Sequence, residues 1–319
     1  MLSYADCAAL KISVIAGGRS PEGKGSRLSG ATARDALVEL GANAVLVDLN
    51  SPSLVEEVSR TDVAFVAGHG WEGEDGKLQG LLEILGIPYT GSGVLASAIC
   101  MYKPTFKTLM EARGLPTPKW SSIHLDSADY ELSGLIEQLG GAVFVKPASG
   151  GYSFGAGVAR NIEEIRAIIR VAPAYSEQPY VAEQYVTGIE VTVGVLCEEG
   201  STKVLPPLMT QSFTEFYDER AKSDPNLRNY VCPAPLSAAT IKLLQDQALK
   251  VFEVSMCHGF GRVDFMVHND GLTVLEMNTV PGLSRDSNLA TMAYAADIEY
   301  GELIRIMLAS AFNRPTYIP

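Results

Sequence analysis

Apolar and polar positions in the first hundred residues switch between a two-residue and a 3.6-residue period. Lys11–Ala16 (KISVIA) is a β-rich apolar run that stops at Gly17-Gly18. A helical stretch follows to about Leu40, and strand signals return at Ala44–Leu49 and Val63–Ala67. Strands spaced by helical stretches predict βαβ units and a parallel sheet. Ligands of such sheets bind beyond the carboxyl ends of the strands, where Gly17-Gly18 and Gly68-His69-Gly70 both fall. The 3.6-residue period over 103–113 predicts a helix that Gly114 ends, with Pro116 and Pro118 breaking the chain beyond it. Next come a strand at Val143–Lys146, a Gly-rich loop over 150–157, a helix near 162–171 and a strand at Tyr180–Tyr185. The last block predicts strands at 190–196, 259–267 and 272–277, a long helix at 237–256 and a C-terminal helix. The fold class is thus α/β at the N-terminus and α+β over the C-terminal two-thirds. It divides into an N-terminal α/β domain (1–102), a central domain with the Gly-rich loop (103–183) and a C-terminal domain (184–319), packed around a cleft. No internal repeat or low-complexity linker interrupts them.

Composition narrows the chemistry. Of 319 residues, 47% are hydrophobic and 19% charged, enough apolar surface to exclude wholesale disorder. Acidic residues outnumber basic ones 37 to 25, a net charge of −12, which argues against a broad nucleic-acid or anionic-membrane surface. The best apolar run, Val94–Met101, falls far short of the ~20 residues needed to cross a bilayer. The N-terminus shows no signal-peptide pattern. Five cysteines, an odd number without a CxxC pair, argue for reduced thiols in a cytoplasm and against a disulfide scaffold or zinc site.

The sharpest local signal is Gly261-Arg262-Val263-Asp264-Phe265, a turn, and Leu275-Glu276-Met277-Asn278. Residues two apart on a strand share a face, so Arg262 and Asp264 point together, as do Glu276 and Asn278. A three-residue loop Asn269-Asp270-Gly271, with Gly271 in the left-handed position, opposes Asp264 with Glu276 and Arg262 with Asn278. A two-residue loop puts the pairs on opposite faces. Two carboxylates and an amide oxygen beside one guanidinium suit magnesium, which takes one or two carboxylates plus substrate phosphates. The competing reading is a cross-strand ion pair on a solvated face. Apolar residues flanking both strands favour burial, where unpaired carboxylates are costly.

Lysines form a second set. Lys146 closes an apolar strand and precedes the loop GGYSFGAG, where backbone N–H groups and the ammonium suit phosphate binding; a bland Gly-rich hairpin is the alternative. Lys103 opens a helix, Lys222 lies in a polar loop, and Glu183 and Glu190 bracket a strand and turn. Taken singly, these four read as solvated charges. Gly18–Lys24 has the spacing of a P-loop, but Gly25 stands where a magnesium-binding Ser or Thr is required, and Pro21 and Glu22 fall within the supposed cradle. No GxGxxG follows the first strand. His69, in a strand-end loop, is a candidate ligand contact or a structural histidine. No Ser–His–Asp arrangement is visible.

Together, GGRSPE at 17–22, HGWEGEDGKLQGLLEILGIPYTGSGVLASA at 69–98, KP at 146–147 and EQYVTGIEVTVGVL at 183–196 resemble the D-alanine–D-alanine ligase family of the ATP-grasp superfamily. FYDERAK at 216–222, YVCPAPL at 230–236, GRVDF at 261–265 and EMNTVPGLSRDS at 276–287 extend the resemblance from about residue 11 to the C-terminal helix. The resemblance implies an ATP-grasp fold and ATP-dependent joining of two D-alanines for peptidoglycan through an acyl phosphate. It implies that Asp264, Glu276 and Asn278 hold two magnesium ions, with manganese able to substitute, and that Lys103, Lys146 and Lys222 neutralise phosphate oxygens. Glu190 then corresponds to the ribose-binding acid, Glu183 lies by the adenine, and the backbone from Gln184 to Val186 reads its edge. Arg262 and the Gly282 N–H resemble an oxyanion hole. Glu22 matches the residue holding the first ammonium, with His69 near that substrate's carboxylate, and Ser287 the residue contacting the second carboxylate. Family membership also implies a homodimer through the N-terminal domain.

Departures gather around the substrates. Where the family has a serine after the Lys146 strand, which joins a glutamate and a loop tyrosine to order the closing loop, this chain has Tyr152; where it has that tyrosine, this chain has Ser223. The two have traded places, so a Tyr152–Ser223 contact is expected instead. Gly23-Lys24-Gly25 is more glycine-rich and more basic than usual, and Asp286-Ser287-Asn288 replaces the commoner His-Ser-Leu. A ligase of a specialised pathway joining other amino acids or amines is therefore the alternative, and a silent nucleotide-binding paralogue a third. The intact Arg262, Asp264, Glu276 and Asn278 count against silence.

Overall fold

The computed structural model describes residues 2–175, 177–198 and 201–315. The N-terminal unit runs α1 (Tyr4–Ala9), β1 (Lys11–Ala16), α2 (Gly23–Glu39), β2 (Asn43–Asp48), α3 (Leu54–Val58), β3 (Val63–Val66), α4 (Lys77–Leu85) and α5 (Val94–Met101). β1 lies between β2 and β3, parallel to both, as the alternation predicts. α2 presses on this sheet through Gly30, where a Cβ would stand 2.4 Å from that of Ala16.

The central segment contains α6 (Lys103–Ala112), β4 (Trp120–Ile123), α7 (Asp129–Gln138), β5 (Val143–Pro147), β6 (Gly157–Ala159), α8 (Ile162–Arg170) and β7 (Tyr180–Gln184). Its four strands form an antiparallel sheet ordered β4-β7-β5-β6. Asn161 caps α8 by accepting the Glu164 N–H. The C-terminal segment contains β8 (Ile189–Glu198), β9 (Ser201–Val204), β10 (Leu208–Ser212), α9 (Glu219–Ser223), β11 (Arg228–Val231), α10 (Ala238–Val254), β12 (Phe260–His268), β13 (Gly271–Asn278), α11 (Asn288–Tyr294) and α12 (Tyr300–Ala309). Five of its strands run β11-β10-β8-β12-β13, and β9 pairs with β8. The strands that the periodicity did not reveal, β4, β6, β9, β10 and β11, have only three to five residues, too few to show a period.

Two helices cross the segment boundaries. α6 opens the central segment, yet its Phe106 and Met110 share a core with Val193, Val263 and Val274 of the C-terminal sheet. α12 closes the chain, yet its Leu303, Ile304 and Met307 pack with Ile12, Val14, Leu37 and Phe65 of the N-terminal unit.

The β12–β13 hairpin corrects one expectation. Its loop has two residues, Asn269 and Asp270, because His268 pairs with Gly271. A β-bulge then shifts the register between Asp264 and Phe265, with Leu275 as the extra residue. Beyond it Asp264 opposes Glu276 and Arg262 opposes Asn278, as expected, but by a different route. The bulge reverses the alternation along β13. Leu272, Val274 and Met277 enter the core with Val263 and Phe265, while Leu275 and Glu276 both face the cleft with Arg262 and Asp264.

Candidate active site

An open cleft lies between the central and C-terminal sheets. Lys103, Lys146, Glu183, Gln184, Val186, Glu190, Lys222, Arg262, Asp264 and Glu276 all line it, so the fold brings together residues from Lys103 to Glu276. A smaller adjoining cavity adds Glu74 and Asn278 and shares Gly150 and Gly151 of the Gly-rich loop with the cleft.

On the floor, Arg262 grips Asp264 with two parallel bonds, Nε to Oδ1 and Nη2 to Oδ2, both 2.9 Å. Thr192 on β8 donates to the same carboxylate at 2.5 Å, and Asn278 Nδ2 donates to Oδ2 at 3.0 Å. Burial works to raise the Asp264 pKa, but Arg262 and these hydrogen bonds hold it below the usual range. The donors are oxygen atoms only, and rotating the Asn278 amide by half a turn offers its oxygen. This set suits a hard cation that also takes phosphate oxygens and water. No group of three or more His, Cys, Asp or Glu side chains arranged to hold a metal occurs among the described residues, so phosphates would have to complete the shell.

The lysines are anchored by different means. Lys103, buried at the start of α6, donates to the Gly150 carbonyl, and burial lowers its pKa. Lys146 pairs with Glu183 Oε1 at 2.7 Å, and Lys107 with Oε2. Burial alone would push Glu183 up; the two ammoniums pull it down to about 2. Glu183 is therefore committed to lysines. Lys107 was missed in the sequence, although it follows Lys103 by four residues and so shares its helix face. Glu190 on β8 has no such partner, and burial pushes it up to about 7. Of the stretch expected to read the adenine, the Gln184 N–H is spent on the Lys119 carbonyl and the Tyr185 N–H on that of Ala142.

Two loops close over the cleft. Lys222 donates to Ser153 Oγ at 2.9 Å, and Ser153 Oγ donates to the Tyr217 carbonyl at 3.0 Å. The Tyr152 and Ser223 hydroxyls meet at 3.2 Å, the contact their exchanged positions predict. Tyr152 and Ser153 both adopt left-handed backbone, with φ of 54° and 60°, an uncommon conformation in two successive non-glycine residues. Behind them the Gly151 N–H reaches Glu22 Oε1 at 3.0 Å. Glu22, at the N-cap of α2, makes no capping bond; burial raises its pKa, with Lys103 and the Gly151 N–H opposing. Glu74, also missed in the sequence, is buried nearby with Oε2 unpartnered, and burial together with Glu22 lifts its pKa well above the usual carboxylate value.

His69 lies in a relay of its own. Its Nδ1–H donates to the Val280 carbonyl at 3.0 Å, so Nε2 accepts from Ser29 at 2.8 Å, and Ser29 Oγ accepts the Leu283 N–H at 3.2 Å. Burial lowers the imidazole pKa to about 4, leaving it neutral. Both ring nitrogens are spent on holding the 279–287 loop, which carries Gly282 and Ser287. Ser287 caps α11 by accepting the Ala290 N–H.

Known proteins match the chain over nearly its whole length. The family model described as the D-ala D-ala ligase N-terminus matches residues 47–92, and that of the D-ala D-ala ligase C-terminus matches residues 109–309. The D-alanine–D-alanine ligase of Alcanivorax borkumensis is 40% identical over 305 residues, covering 95% of this chain and 94% of its own. That of Desulforudis audaxviator is 36% identical over 310 residues, covering 95% and 99%. Among solved structures, the D-alanine–D-alanine ligase of Bacillus anthracis superposes with a TM-score of 0.83 at 31% identity, covering 95% of this chain and 98% of its own. The same enzyme complexed with ATP gives 0.81 at 30%.

Proposed function

The chain belongs to the D-alanine–D-alanine ligase family, and from that premise we propose that it condenses two D-alanines into D-alanyl-D-alanine with ATP. The carboxylate of the first D-alanine attacks the γ-phosphoryl group, giving an acyl phosphate and ADP. The amine of the second attacks the acyl carbon, and phosphate leaves. Phosphoryl transfer asks for positioning and charge neutralisation more than covalent help. The observation that carries the proposal is the convergence of Lys103, Lys146 and Lys222 on one cleft with Asp264, Glu276 and Arg262.

In this reading the three lysines meet the phosphates, and Glu183 acts through Lys146 by fixing its ammonium. Glu190 accepts from the ribose hydroxyls. Asp264, Glu276 and Asn278 would hold magnesium, whose charge offsets that of the phosphate oxygens. Arg262 and the Gly282 N–H lie on the segments that would face the developing oxyanion, where losing one donor costs ~10²–10³ in rate. Glu22 holds the first ammonium, and His69 orients the loop bearing Gly282 and Ser287.

The test incubates the protein with ATP, magnesium and a panel of amino acids, measuring phosphate release and product mass. D-alanine-dependent phosphate with D-alanyl-D-alanine as product is expected, and Asp264→Asn should lower it by at least ~10²-fold. Turnover with another amino acid but not D-alanine would assign the chain to the specialised reading, which Asp286 beside Ser287 favours. Unchanged turnover in Asp264→Asn would refute the metal assignment.

A further inference from the structure

All five cysteines are free thiols, and two of them distant in sequence meet. Cys100 is the penultimate residue of α5 and Cys257 lies in the turn after α10, with their sulfurs 3.9 Å apart. Cys100 is buried; Cys257 is partly exposed. The sulfur of Cys197 faces Thr202 Oγ1 at 3.7 Å, and that of Cys232 faces the Pro206 and Pro207 carbonyls at 3.7 Å. Neither is matched with a second thiol in this way.

We propose that Cys100 and Cys257 form a peroxide-responsive thiol pair whose disulfide displaces Lys103 and lowers turnover until a thiol reductant reopens it. Its effect on activity rests on the ligase reading above; the bond itself does not.

The neighbourhood of Cys100 supplies the coupling. Cys100 lines the small cavity that also holds Lys103, Glu74 and Glu276. Met101 follows it and accepts the Gly150 N–H on Sδ at 3.3 Å. Tyr102 then joins α5 to α6 in extended conformation, and Lys103 binds the segment after β5 twice, through its N–H to the Ala148 carbonyl and its ammonium to the Gly150 carbonyl. A disulfide requires the sulfurs to approach to ~2.05 Å. Drawing them together by roughly 2 Å therefore pulls on the end of α5, three residues before a phosphate-binding lysine.

The chemistry balances with hydrogen peroxide as oxidant. The Cys257 thiolate attacks one peroxide oxygen, breaking the O–O bond, and becomes a sulfenic acid; the departing hydroxide takes a proton to form water. Cys100 sulfur then attacks the Cys257 sulfur, and the sulfenic hydroxyl leaves with the Cys100 proton as a second water. Two thiols lose two electrons in all, and one peroxide gains them. The order follows from position: a hydrogen bond to Cys257 and burial both hold Cys100 as the thiol, whereas Cys257 meets solvent.

Full-length protein is treated with hydrogen peroxide, alkylated, digested and mapped by mass spectrometry, with ATP-dependent phosphate release followed on the same samples. A Cys100–Cys257 cross-linked peptide should appear while activity falls about tenfold or more, since a 1 Å misplacement can cost ~10²-fold. Dithiothreitol should remove the link and restore the rate. Cys257→Ser should keep its basal activity, form no link and resist peroxide, whereas Cys197→Ser should behave like the parent. A link from Cys257 to Cys197, sulfinic acid at Cys257 without any link, or a complete Cys100–Cys257 link with unchanged turnover would each overturn the proposal. Should the protein turn over no substrate, the peptide map still decides whether the pair bonds, so the two readings fail separately.

Discussion

Glu183 offers one carboxylate to two buried ammoniums. Lys146 and Lys107 occupy its two oxygens, and Lys107 is fully buried. Removing one partner of a buried ion pair leaves an uncompensated charge, at a typical cost of ~3–5 kcal/mol. Glu183→Gln should therefore lower the urea-unfolding free energy by about that much and weaken ATP binding, because Lys146 loses its anchor. A loss under ~1 kcal/mol would mean that the lysines find other counter-charges or water. The sign with pH follows from the depressed carboxyl. Unfolded, it titrates near 4.5; folded, near 2, so its stabilisation is present above pH 4.5 and disappears as pH falls toward 2. Glu183→Gln should accordingly flatten the acid limb of the stability curve.

The Gly-rich loop and the segment 213–223 behave as a pair of straps. Close to the cleft they meet through Tyr152–Ser223 and Lys222–Ser153. Farther out, Arg160 after β6 pairs with Glu215 at 2.8 Å, the Tyr185 hydroxyl donates to the Glu215 carbonyl at 3.2 Å, and Phe144 meets Phe216 edge to face at 5.1 Å. An exposed pair such as Arg160–Glu215 is screened by water and contributes little by itself. Reversing either charge should raise the KM for ATP roughly two- to fivefold with less effect on kcat, and the double reversal should recover it. High salt should shrink the difference between the single variants and the parent. Equal ATP KM values at low salt would show that the outer contacts do not hold the straps. At the same scale, the β13 bulge decides which side chains reach the cleft, since it flips Glu276 and Asn278 off the core face.

Across the whole molecule, the sheet that begins the chain is completed by the helix that ends it. α12 supplies Leu303, Ile304, Met307 and Leu308 to the core around β1 and α2. Arg305 of the same helix, 3% exposed, binds the Leu2 carbonyl, Glu198 and Glu302. Arg314 stacks on Tyr89, 3.9 Å from the ring centroid, and donates to the Gly91 carbonyl. Residues 1–102 expressed alone should therefore lack part of their core and show poor amide dispersion by NMR. Adding the α12 peptide should improve it. A well-dispersed spectrum from the fragment alone would show that the N-terminal sheet needs no help from α12.

Local pattern by itself determined the parallel βαβ start, the glycines at the ends of β1 and β3, and the facing of Arg262 and Asp264 on one strand. Those features depend on neighbours in sequence, through backbone period and the limits on φ. The P-loop spacing at Gly18–Lys24 fails on the same local grounds, and Glu22 sits at the α2 N-cap. Tertiary packing decided the rest. Lys107 reads in sequence as one more helical lysine, and only the approach of α6 to Glu183 on β7 makes it a partner of that carboxylate. His69 showed its strand-end position, but its neutrality follows from burial beneath segments from elsewhere in the chain, which outweighs the Val280 carbonyl. Cys100 and Cys257 are 157 positions apart, and no periodicity links them. Even the opposition of Asp264 and Glu276 depended on a bulge, because two-residue alternation fixes relative facing along one strand, whereas pairing between strands depends on how the core beneath them fills.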